Sequence, residues 1–320
     1  MKYKILFSIP VHEKLEVVLD QIANIFTLNK DCGIVLHFSP VFDYANSAID
    51  KDTFIKKIEA YNSNSGGVFL NPQSVRTGFF DIIQAHIANF RYVSTVAEFE
   101  YVALLASNEI FVKPNLYDHI KKFDVGVNDG IIPVTSKTGT GKGAHKDKDL
   151  KNIIKSINTN DIYWSQIEGS YYKSEIFDSI CDVIDKHFDY KTIDKDDLYA
   201  REEVYFPTVF WGLYKGSDTI KVDKKGMFTF VPWQRVGISV NIGEAIWHSK
   251  NESDIFCIKR VARKLEDPVR SYIRQKYNYS DFFGLSNLVC RYPLLYIQIR
   301  DMYRRIQLKY IDRIKTKLKK

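Results

Sequence analysis

Two adjacent glutamates precede an aromatic run in the second half of the chain, in the segment Arg201-Glu202-Glu203-Val-Tyr-Phe-Pro-Thr. Carboxylates that abut apolar side chains are candidates for general acid–base chemistry. Adjacent glutamates are also common on exposed helix faces. On spacing alone, a surface helix is the simpler interpretation of this pair.

Four cations fall within six residues at Lys259-Arg260-Val-Ala-Arg263-Lys264. Such a cluster is typical of a solvated helix face or of a site that grips phosphate. A diphosphate leaving group without a bound metal would need cations of this kind. The cluster is therefore a candidate phosphate site.

Acidic pairs that could hold a divalent metal occur in the wrong context. The Asp-x-Asp strings at 50–52, 147–149 and 194–196 all lie in polar stretches, whereas a metal-binding pair normally ends a buried strand. The apolar strand predicted at 101–106 is followed by Ser-Asn and a single carboxylate, Glu109. The sequence therefore predicts no bound metal.

Alternating element patterns predict the scaffold for these groups. Residues 4–11 and 33–39 read as buried strands, and residues 13–28 between them have helical apolar spacing. A strand, a helix and a strand in about 35 residues indicate a βαβ unit with a parallel sheet. Further strands are expected at 66–70 and 101–106, and helices at 78–93, 114–122 and 254–278.

A polar stretch over residues 135–151 interrupts this pattern. It contains Gly139-Thr-Gly-Lys-Gly143, whose spacing departs from that of a Walker phosphate loop. Because Gly, Lys and Asp dominate and nothing is periodic, we expect a mobile surface loop. The chain is otherwise expected to form one catalytic domain over residues 1–290.

Basic charge is concentrated at the C-terminus. Residues 291–320 contain ten Lys/Arg and two Asp, a net charge of +8, so residues 1–290 carry −1 of the total +7. Apolar residues interleave with these cations at roughly helical spacing. We expect a basic amphipathic helix that contacts an anionic membrane surface, or that docks on the body with a solvated basic face.

Composition limits the compartment and the class of partner. The four cysteines are scattered without a metal-binding spacing, the N-terminal apolar run is short, and no run reaches the length of a membrane span. A nucleic-acid enzyme would carry positive charge on its body. We therefore expect a cytoplasmic protein, peripheral at the inner face of the membrane, without specific nucleic-acid binding.

Ordered short blocks over about residues 5–268 resemble the core-2/I-branching β-1,6-N-acetylglucosaminyltransferase family. The blocks are Ser8-Ile-Pro-Val-His12-Glu-Lys, His37-Phe-Ser39, Val75-Arg76-Thr-Gly78, Tyr101 to Pro114, Glu168-Gly169-Ser170, Arg201-Glu202-Glu203, Phe230-Val-Pro-Trp233-Gln and Val261-Ala-Arg263-Lys264-Leu-Glu. The family's second-strand acid is replaced by Ser39, and Arg235 stands near Trp233.

This resemblance implies a GT-A-like α/β fold with a Rossmann-like, mostly parallel central sheet and a basic C-terminal helical extension. It implies an inverting, metal-free reaction with no cofactor besides a nucleotide sugar, a UDP-linked donor being indicated. The catalytic base falls on Glu203. Donor contacts are expected from Val11, His12, Arg76, Arg260, Arg263 and Lys264, and acceptor contacts from Glu168, Trp233 and Glu109.

The resulting hypothesis is a glycosyltransferase that moves a hexosyl or N-acetylhexosaminyl group from a nucleotide sugar to a glycan. A membrane-facing tail would suit a lipid-linked glycan acceptor, as in bacterial surface polysaccharide synthesis. Two alternatives remain open at this point. One is a metal-dependent GT-A glycosyltransferase, and the other is a non-catalytic protein that binds a glycan or a polyanion.

Overall fold

A computed structural model of the chain describes most residues before the basic C-terminal segment. The described residues are 2–78, 82–133, 135–136, 139–189, 199–233, 239–279, 283–284, 299 and 302. The predicted amphipathic helix over 291–320 lies outside them, apart from residues 299 and 302. So do Arg235 and the acidic string at 194–196.

Strands and helices alternate over residues 2–104 and follow one another in a less regular order after that. The strands are β1 (Lys2–Val11), β2 (Cys32–Phe38), β3 (Val68–Leu70), β4 (Glu98–Leu104), β5 (Ile110–Phe111), β6 (Val125–Gly126), β7 (Gly130–Ile131), β8 (Tyr163–Trp164), β9 (Tyr171–Lys173), β10 (Val222–Asp223), β11 (Thr229–Phe230) and β12 (Cys257–Ile258). The helices are α1 (Leu15–Leu28), α2 (Lys51–Asn64), α3 (Ile83–Ser94), α4 (Leu116–Ile120), α5 (Gly139–Lys146), α6 (Lys148–Ser156), α7 (Ser174–His187), α8 (Glu202–Tyr214), α9 (Ile242–Asn251) and α10 (Pro268–Tyr277).

Seven of these strands form a central sheet in the order β10-β6-β9-β4-β1-β2-β3. β1 pairs in parallel with β2 and β4, and β2 pairs in parallel with β3. β9 runs antiparallel to both of its neighbours, β4 and β6, and β10 is parallel to β6. The central sheet is thus mostly parallel, as predicted. It also contains one reversed strand, β9.

The two faces of the sheet bury separate apolar cores, because successive side chains of a strand point to opposite faces. Leu6 of β1 packs in a core with Phe90 of α3 and Phe177 of α7. Its neighbour Phe7 packs in a core with Val18 of α1. Each such fully buried side chain contributes about 1.5–3 kcal/mol to folding. The continuous apolar run of β1 is the sequence signature of this burial on both faces.

A smaller sheet, in the order β11-β12-β5, lies beside the central one. β11 is parallel to β12, and β12 is antiparallel to β5. Backbone hydrogen bonds from Phe228 to Gly169, at 3.2 Å, and from Gly169 to Leu104, at 2.9 Å, join it to the end of β4. The small sheet therefore brings residues after β11 and β12 to the edge where β4 ends.

The prediction of a mobile loop over 135–151 is wrong, because the described part of this stretch contains α5 and the start of α6. Asp147 caps α6 by accepting hydrogen bonds from the Asp149 and Leu150 amides. Gly143 packs against Tyr199, where an added Cβ would lie 2.6 Å from the ring. The glycine here serves close helix packing, a requirement that periodicity does not reveal.

The prediction of one helix over 254–278 is also wrong. Cys257–Ile258 forms β12, residues 259–266 form a connecting loop, and only Pro268–Tyr277 is helical. Arg260 has a φ of +64°, which interrupts regular structure. Asp267 caps α10 through the Val269 and Arg270 amides, and Pro268 takes the first helical turn, where it is favoured.

The two described Asp-x-Asp strings have helix-capping roles. Asp50 caps α2 by accepting from the Thr53 amide, and Asp147 caps α6. Each string therefore starts a helix and does not end a buried strand. Among the described residues, no helix is both long enough and apolar enough to cross a bilayer.

Candidate active site

Polar residues that follow β1, β2 and β4 meet at one edge of the central sheet. The His12 amide donates to Ser107 Oγ at 3.0 Å, and His12 Nε2 lies 2.7 Å from Thr77 Oγ1. The Thr77 amide donates to Ser39 Oγ at 3.1 Å. Ligands of open α/β sheets bind at this carboxyl edge. Three strand ends and the segment before α3 thus form a polar wall at this edge.

Two further residues predicted to bind the donor flank this wall. Val11 is fully buried, and its carbonyl accepts a hydrogen bond from the Tyr44 hydroxyl at 3.1 Å. Because the Val11 side chain is buried, only its backbone could contact a ligand at this edge. Arg76 precedes Thr77 and is exposed, with no side-chain partner among the described residues. Arg76 is thus an exposed cation next to this wall.

The loop after β12, residues 259–266, brings cations to the same edge, and we call it the cation loop. Arg263 is 63% exposed, and its Nε lies 3.0 Å from Oε1 of Glu13, which is 2% exposed. Burial raises the pKa of Glu13 to about 7, although the nearby Arg263 and Arg270 oppose this. Burial and the charge of Arg263 lower the pKa of His12. The end of β1 and the cation loop therefore form one electrostatic unit.

A buried ionic network fixes this loop to α1. Asp20 accepts from Arg270 NH1 and from Arg274 NH1, each at 2.8 Å, and all three side chains are almost completely buried. Arg270 Nε also donates to the Ala262 carbonyl at 3.1 Å, and Arg274 donates to the Leu265 carbonyl. The guanidinium groups thus hold the loop backbone on both sides of Arg263.

The segment Trp164–Glu168 links the remaining candidates. Gln166 Oε1 accepts from Trp233 Nε1 at 2.9 Å, and Lys259 Nζ donates to Glu168 Oε1. Trp233 is 47% exposed, and the Arg260 guanidinium lies over its ring at 5.6 Å from the centroid. The predicted acceptor residues Trp233 and Glu168 therefore lie in one hydrogen-bonded group with the cation loop.

Glu109 does not have the role that the sequence predicted. It is fully buried, and its oxygens accept from the Ala106 amide at 2.6 Å and from the Thr229 hydroxyl at 2.8 Å. Burial raises its pKa to about 7, with Lys259 opposing. Glu109 therefore ties the turn after β4 to β11 and is not available to contact an acceptor.

Glu203 lies in the first turn of α8 as a buried carboxylate. It is 9% exposed, and its Oε2 accepts a hydrogen bond from Trp164 Nε1 at 2.9 Å. Burial raises the pKa of Glu203, and the hydrogen bond from Trp164 opposes that rise. A raised pKa makes a carboxylate a stronger base, which is the property that a general base needs.

The start of α8 is held in place by Asp147. One carboxylate oxygen of Asp147 accepts from the Tyr199 hydroxyl at 2.7 Å, from the Tyr205 hydroxyl at 2.9 Å and from Arg201 Nε at 3.4 Å. The same residue caps α6. The helix pair that replaces the predicted loop thus positions the turn that carries Glu203.

The contacts described above place most of the predicted residues in one connected site. Lys264 is the exception on the cation loop, since it is exposed and has no side-chain partner among the described residues. Glu13, Trp164 and Gln166 were not among the predicted site residues, and Lys259 was predicted only as a member of the cation cluster. Glu13 and Lys259 lie next to predicted residues, but nothing in the spacing distinguishes a buried charge from an exposed one.

Metal-binding capacity can be judged for the described part of the chain. There, no group of three or more His, Cys, Asp or Glu side chains could hold a metal ion. Cys32, Cys181 and Cys257 are buried free thiols, in agreement with their scattered positions. The titratable groups of the site are instead paired with cations, hydroxyls and amides.

No family model matches the chain. Over 242 residues, 72% of its length, the chain is 25% identical to the chondroitin synthase of Pasteurella multocida (strain Pm70), and the match covers 24% of that protein. The chain thus spans about a quarter of the length of this curated relative.

Two solved structures of LgtC are also similar. The galactosyltransferase LgtC in complex with donor and acceptor sugar analogues gives a TM-score of 0.39 at 11% identity, covering 87% of this chain and 95% of that one. An active-site mutant of LgtC gives 0.38 at 12% identity, covering 84% and 89%. TM-scores of this size do not establish a shared fold. None of these matched proteins is described as a core-2/I-branching transferase.

Proposed function

We propose that this chain is a glycosyltransferase that moves a sugar from a nucleotide donor to a glycan acceptor, by inversion and without a bound metal. The observation that carries the proposal is the connection of Glu203 to the cation loop. The segment Trp164–Glu168 contacts Glu203 at one end, Trp233 in the middle and Lys259 at the other. A base, an aromatic platform and a set of cations are the groups that such a transfer requires.

Similarity to a bacterial polysaccharide synthase supports the same class of reaction. The 25% identity to chondroitin synthase extends over most of the chain. The mostly parallel sheet with the reversed strand β9 is consistent with a GT-A-like fold. The core-2/I-branching resemblance is the source of the finer expectations, namely the inverting course and the role of each residue.

In the proposed reaction, the acceptor hydroxyl oxygen attacks the anomeric carbon of the donor. The bond from that carbon to the diphosphate breaks, and the nucleoside diphosphate leaves with the electron pair. Glu203 takes the hydroxyl proton as the new glycosidic bond forms. General-base help of this kind is worth about 10²–10⁴-fold. One displacement of this geometry inverts the anomeric centre.

Cations on the loop after β12 would stabilise the departing diphosphate. Fixed positive charge is effective where negative charge develops, because it needs no reorganisation during the reaction. Arg263 and Lys264 are exposed at the edge, close to His12 through the Arg263–Glu13 pair. Arg76 approaches the same edge from the other side of Thr77.

The donor set after β4 supports a metal-free reaction. Both oxygens of Glu109 are engaged by an amide and a hydroxyl of the chain, and the ammonium of Lys259 acts on Glu109 through its charge. A divalent ion needs carboxylate oxygens that are free to coordinate it. This arrangement favours the cation loop over a metal as the partner of the diphosphate.

The basic C-terminal segment and Trp233 bear on the location of the enzyme and on its acceptor. A basic C-terminal segment would hold the enzyme near an anionic membrane surface, where a lipid-linked glycan would be presented. That part of the proposal rests on the charge of residues 291–320. Trp233 offers a half-exposed ring on which an acceptor sugar could stack.

A thermal-shift screen with UDP, dTDP, GDP and CMP, each with EDTA and with manganese, tests the donor half of the proposal. A ligand that binds only the folded chain raises the melting temperature by mass action. The proposal expects a shift with UDP in EDTA. A shift that requires manganese would replace the metal-free reaction by a metal-dependent one. No shift with any nucleotide would favour a non-catalytic glycan-binding protein.

A further inference from the structure

Lys259 and Glu168 form a buried ion pair that joins the cation loop to the segment Trp164–Glu168. Lys259 Nζ donates to Glu168 Oε1, and the two side chains are 20% and 6% exposed. The Lys259 amide donates to the Phe230 carbonyl at 2.9 Å. The Glu168 carbonyl accepts from Gln166 Nε2 at 2.8 Å. Both partners are therefore fixed through their backbones as well as through the pair.

The pair leaves one carboxylate oxygen without a partner. Glu168 Oε2 is buried and has no hydrogen-bond partner among the described residues. A buried polar atom left in this state costs about 1–3 kcal/mol, and few are found in folded proteins. An unpartnered buried carboxylate oxygen can be satisfied by a ligand group that donates a hydrogen bond to it.

The surroundings indicate what that donor group would be. Gln166, two residues before Glu168, holds the indole of Trp233, which is 47% exposed. A pyranose ring combines an apolar face that stacks on an aromatic ring with hydroxyl groups that donate hydrogen bonds. Glu168 and Trp233 are linked through Gln166, and together their carboxylate and indole offer the two kinds of group that a sugar would need.

We propose that Lys259 is a positioning residue that holds the Glu168 carboxylate so that Oε2 accepts a hydrogen bond from a hydroxyl of the acceptor sugar. This inference rests on the proposed glycosyltransferase function and assigns Lys259 to acceptor recognition. It separates Lys259 from Arg263 and Lys264, which face the donor. Lys259 would act through Glu168 and not on the diphosphate.

Lys259 has a second acidic neighbour that does not compete for it. Both oxygens of Glu109 are occupied by the Ala106 amide and the Thr229 hydroxyl, so Glu109 acts on Lys259 only through its charge. The other charges that act on Lys259 are Arg260 and Arg263, which oppose its protonation. Burial lowers the pKa of Lys259 to about 8, and Glu109 opposes this.

The proposal gives a pH dependence with a definite sign. Because the pKa of Lys259 is lowered to about 8, the ammonium is lost as the pH rises through that value. Glu168 then loses its partner, and binding of the acceptor should weaken. The KM for the acceptor should therefore rise between about pH 7 and pH 9, while the KM for the nucleotide sugar stays nearly constant.

The test compares Lys259→Met, Lys259→Arg and wild type in acceptor and donor kinetics. We expect Lys259→Met to raise the acceptor KM by about tenfold, the size of one lost charged hydrogen bond, with the donor KM changed less than about twofold. Lys259→Arg should recover most of the loss and move the alkaline rise in KM to higher pH. Lys113→Met is the matched control, because the contacts of Lys113 are with the carbonyls of Glu252 and Ser253 and with the Phe256 ring.

The outcomes separate this inference from the proposed function. If wild type transfers no sugar, the proposed function fails. If wild type is active but Lys259→Met keeps its acceptor KM, or loses donor and acceptor affinity equally, the positioning role is overturned. Should Lys259→Met not fold, the wild-type profile and Lys259→Arg decide, since a wild-type acceptor KM that is flat across pH 7–9, or one that rises in Lys259→Arg over the same range as in wild type, contradicts the proposal.

Discussion

Removing the indole N–H of Trp164 should change the ionisation of the proposed base. Trp164 Nε1 donates to Glu203 Oε2 at 2.9 Å, and this bond opposes the rise in the Glu203 pKa that burial causes. Trp164→Phe keeps an aromatic ring and removes the donor. The carboxylate form loses stabilisation that the protonated form does not need.

The expected magnitude follows from the value of one hydrogen bond to a charged group. Such a bond contributes about 1.5–3 kcal/mol. About 1.4 kcal/mol corresponds to one pKa unit. The pKa of Glu203 should therefore rise by about 1–2 in Trp164→Phe. A general base is active in its ionised form, so the acidic limb of the pH–rate profile should move to higher pH by the same amount.

The assay is kcat/KM for the acceptor as a function of pH at saturating donor, because this parameter reports the ionisations of the enzyme before the acceptor binds. Trp211→Phe is the matched control. Trp211 lies on α8 with Glu203, but its Nε1 donates to the Asn128 carbonyl at 2.8 Å. An acidic limb that is identical in wild type and Trp164→Phe would refute the assignment of Glu203 as the base.

Three further predictions concern the groups that hold the site. The pKa of Glu109 is about 7 in the folded chain, above its unfolded value, so the free energy of unfolding should fall as the pH rises between about 4.5 and 7. Urea unfolding at about pH 5.5 and pH 8 measures this fall, and Glu109→Gln should reduce it by about 2 kcal/mol. Asp20→Asn should destabilise by about 3–5 kcal/mol and reduce the thermal shift with UDP, since it breaks a buried network behind the cation loop. Asp147→Asn should lower both the free energy of unfolding and kcat by loosening the start of α8. Asp182→Asn is the control, because Asp182 belongs to a separate, exposed ion pair; this substitution should change the free energy of unfolding by about 1 kcal/mol or less. Equal effects of Asp147→Asn and Asp182→Asn would contradict the positioning role of Asp147.

The scaffold could be predicted from the sequence where burial leaves a clear pattern. Residues 5–11 of β1 are apolar apart from Ser8, because this part of the strand is covered on both faces, and α1 and β2 follow at the expected spacing. The polar stretch over 135–151 has no such signal. Its helices depend on the Asp147 cap and on the fit of Gly143 against Tyr199, a residue more than 50 positions away.

Site residues could be predicted by type and position along the chain, but not by environment. Glu203 and Trp233 have surroundings that suit the predicted roles. Glu109 has the predicted position after β4, but it is buried with both oxygens occupied. Lys259 is one of four cations within six residues. Its ion pair with Glu168, from another segment, distinguishes it from its neighbours. Contacts between distant segments decide these roles.

Transfer of sugar by the wild-type chain and by Glu203→Gln tests the central claim most directly. The purified full chain would be incubated in EDTA with each UDP-linked hexose, N-acetylhexosamine and hexuronic acid, together with an oligosaccharide acceptor. Released UDP and the mass of the acceptor would be measured. The account predicts equal amounts of UDP and extended acceptor with wild type, and a rate lower by about 10²-fold or more with Glu203→Gln, which still shows a thermal shift with UDP. Wild-type transfer that is matched by Glu203→Gln, or no extended acceptor with any donor whose nucleotide binds, would contradict it.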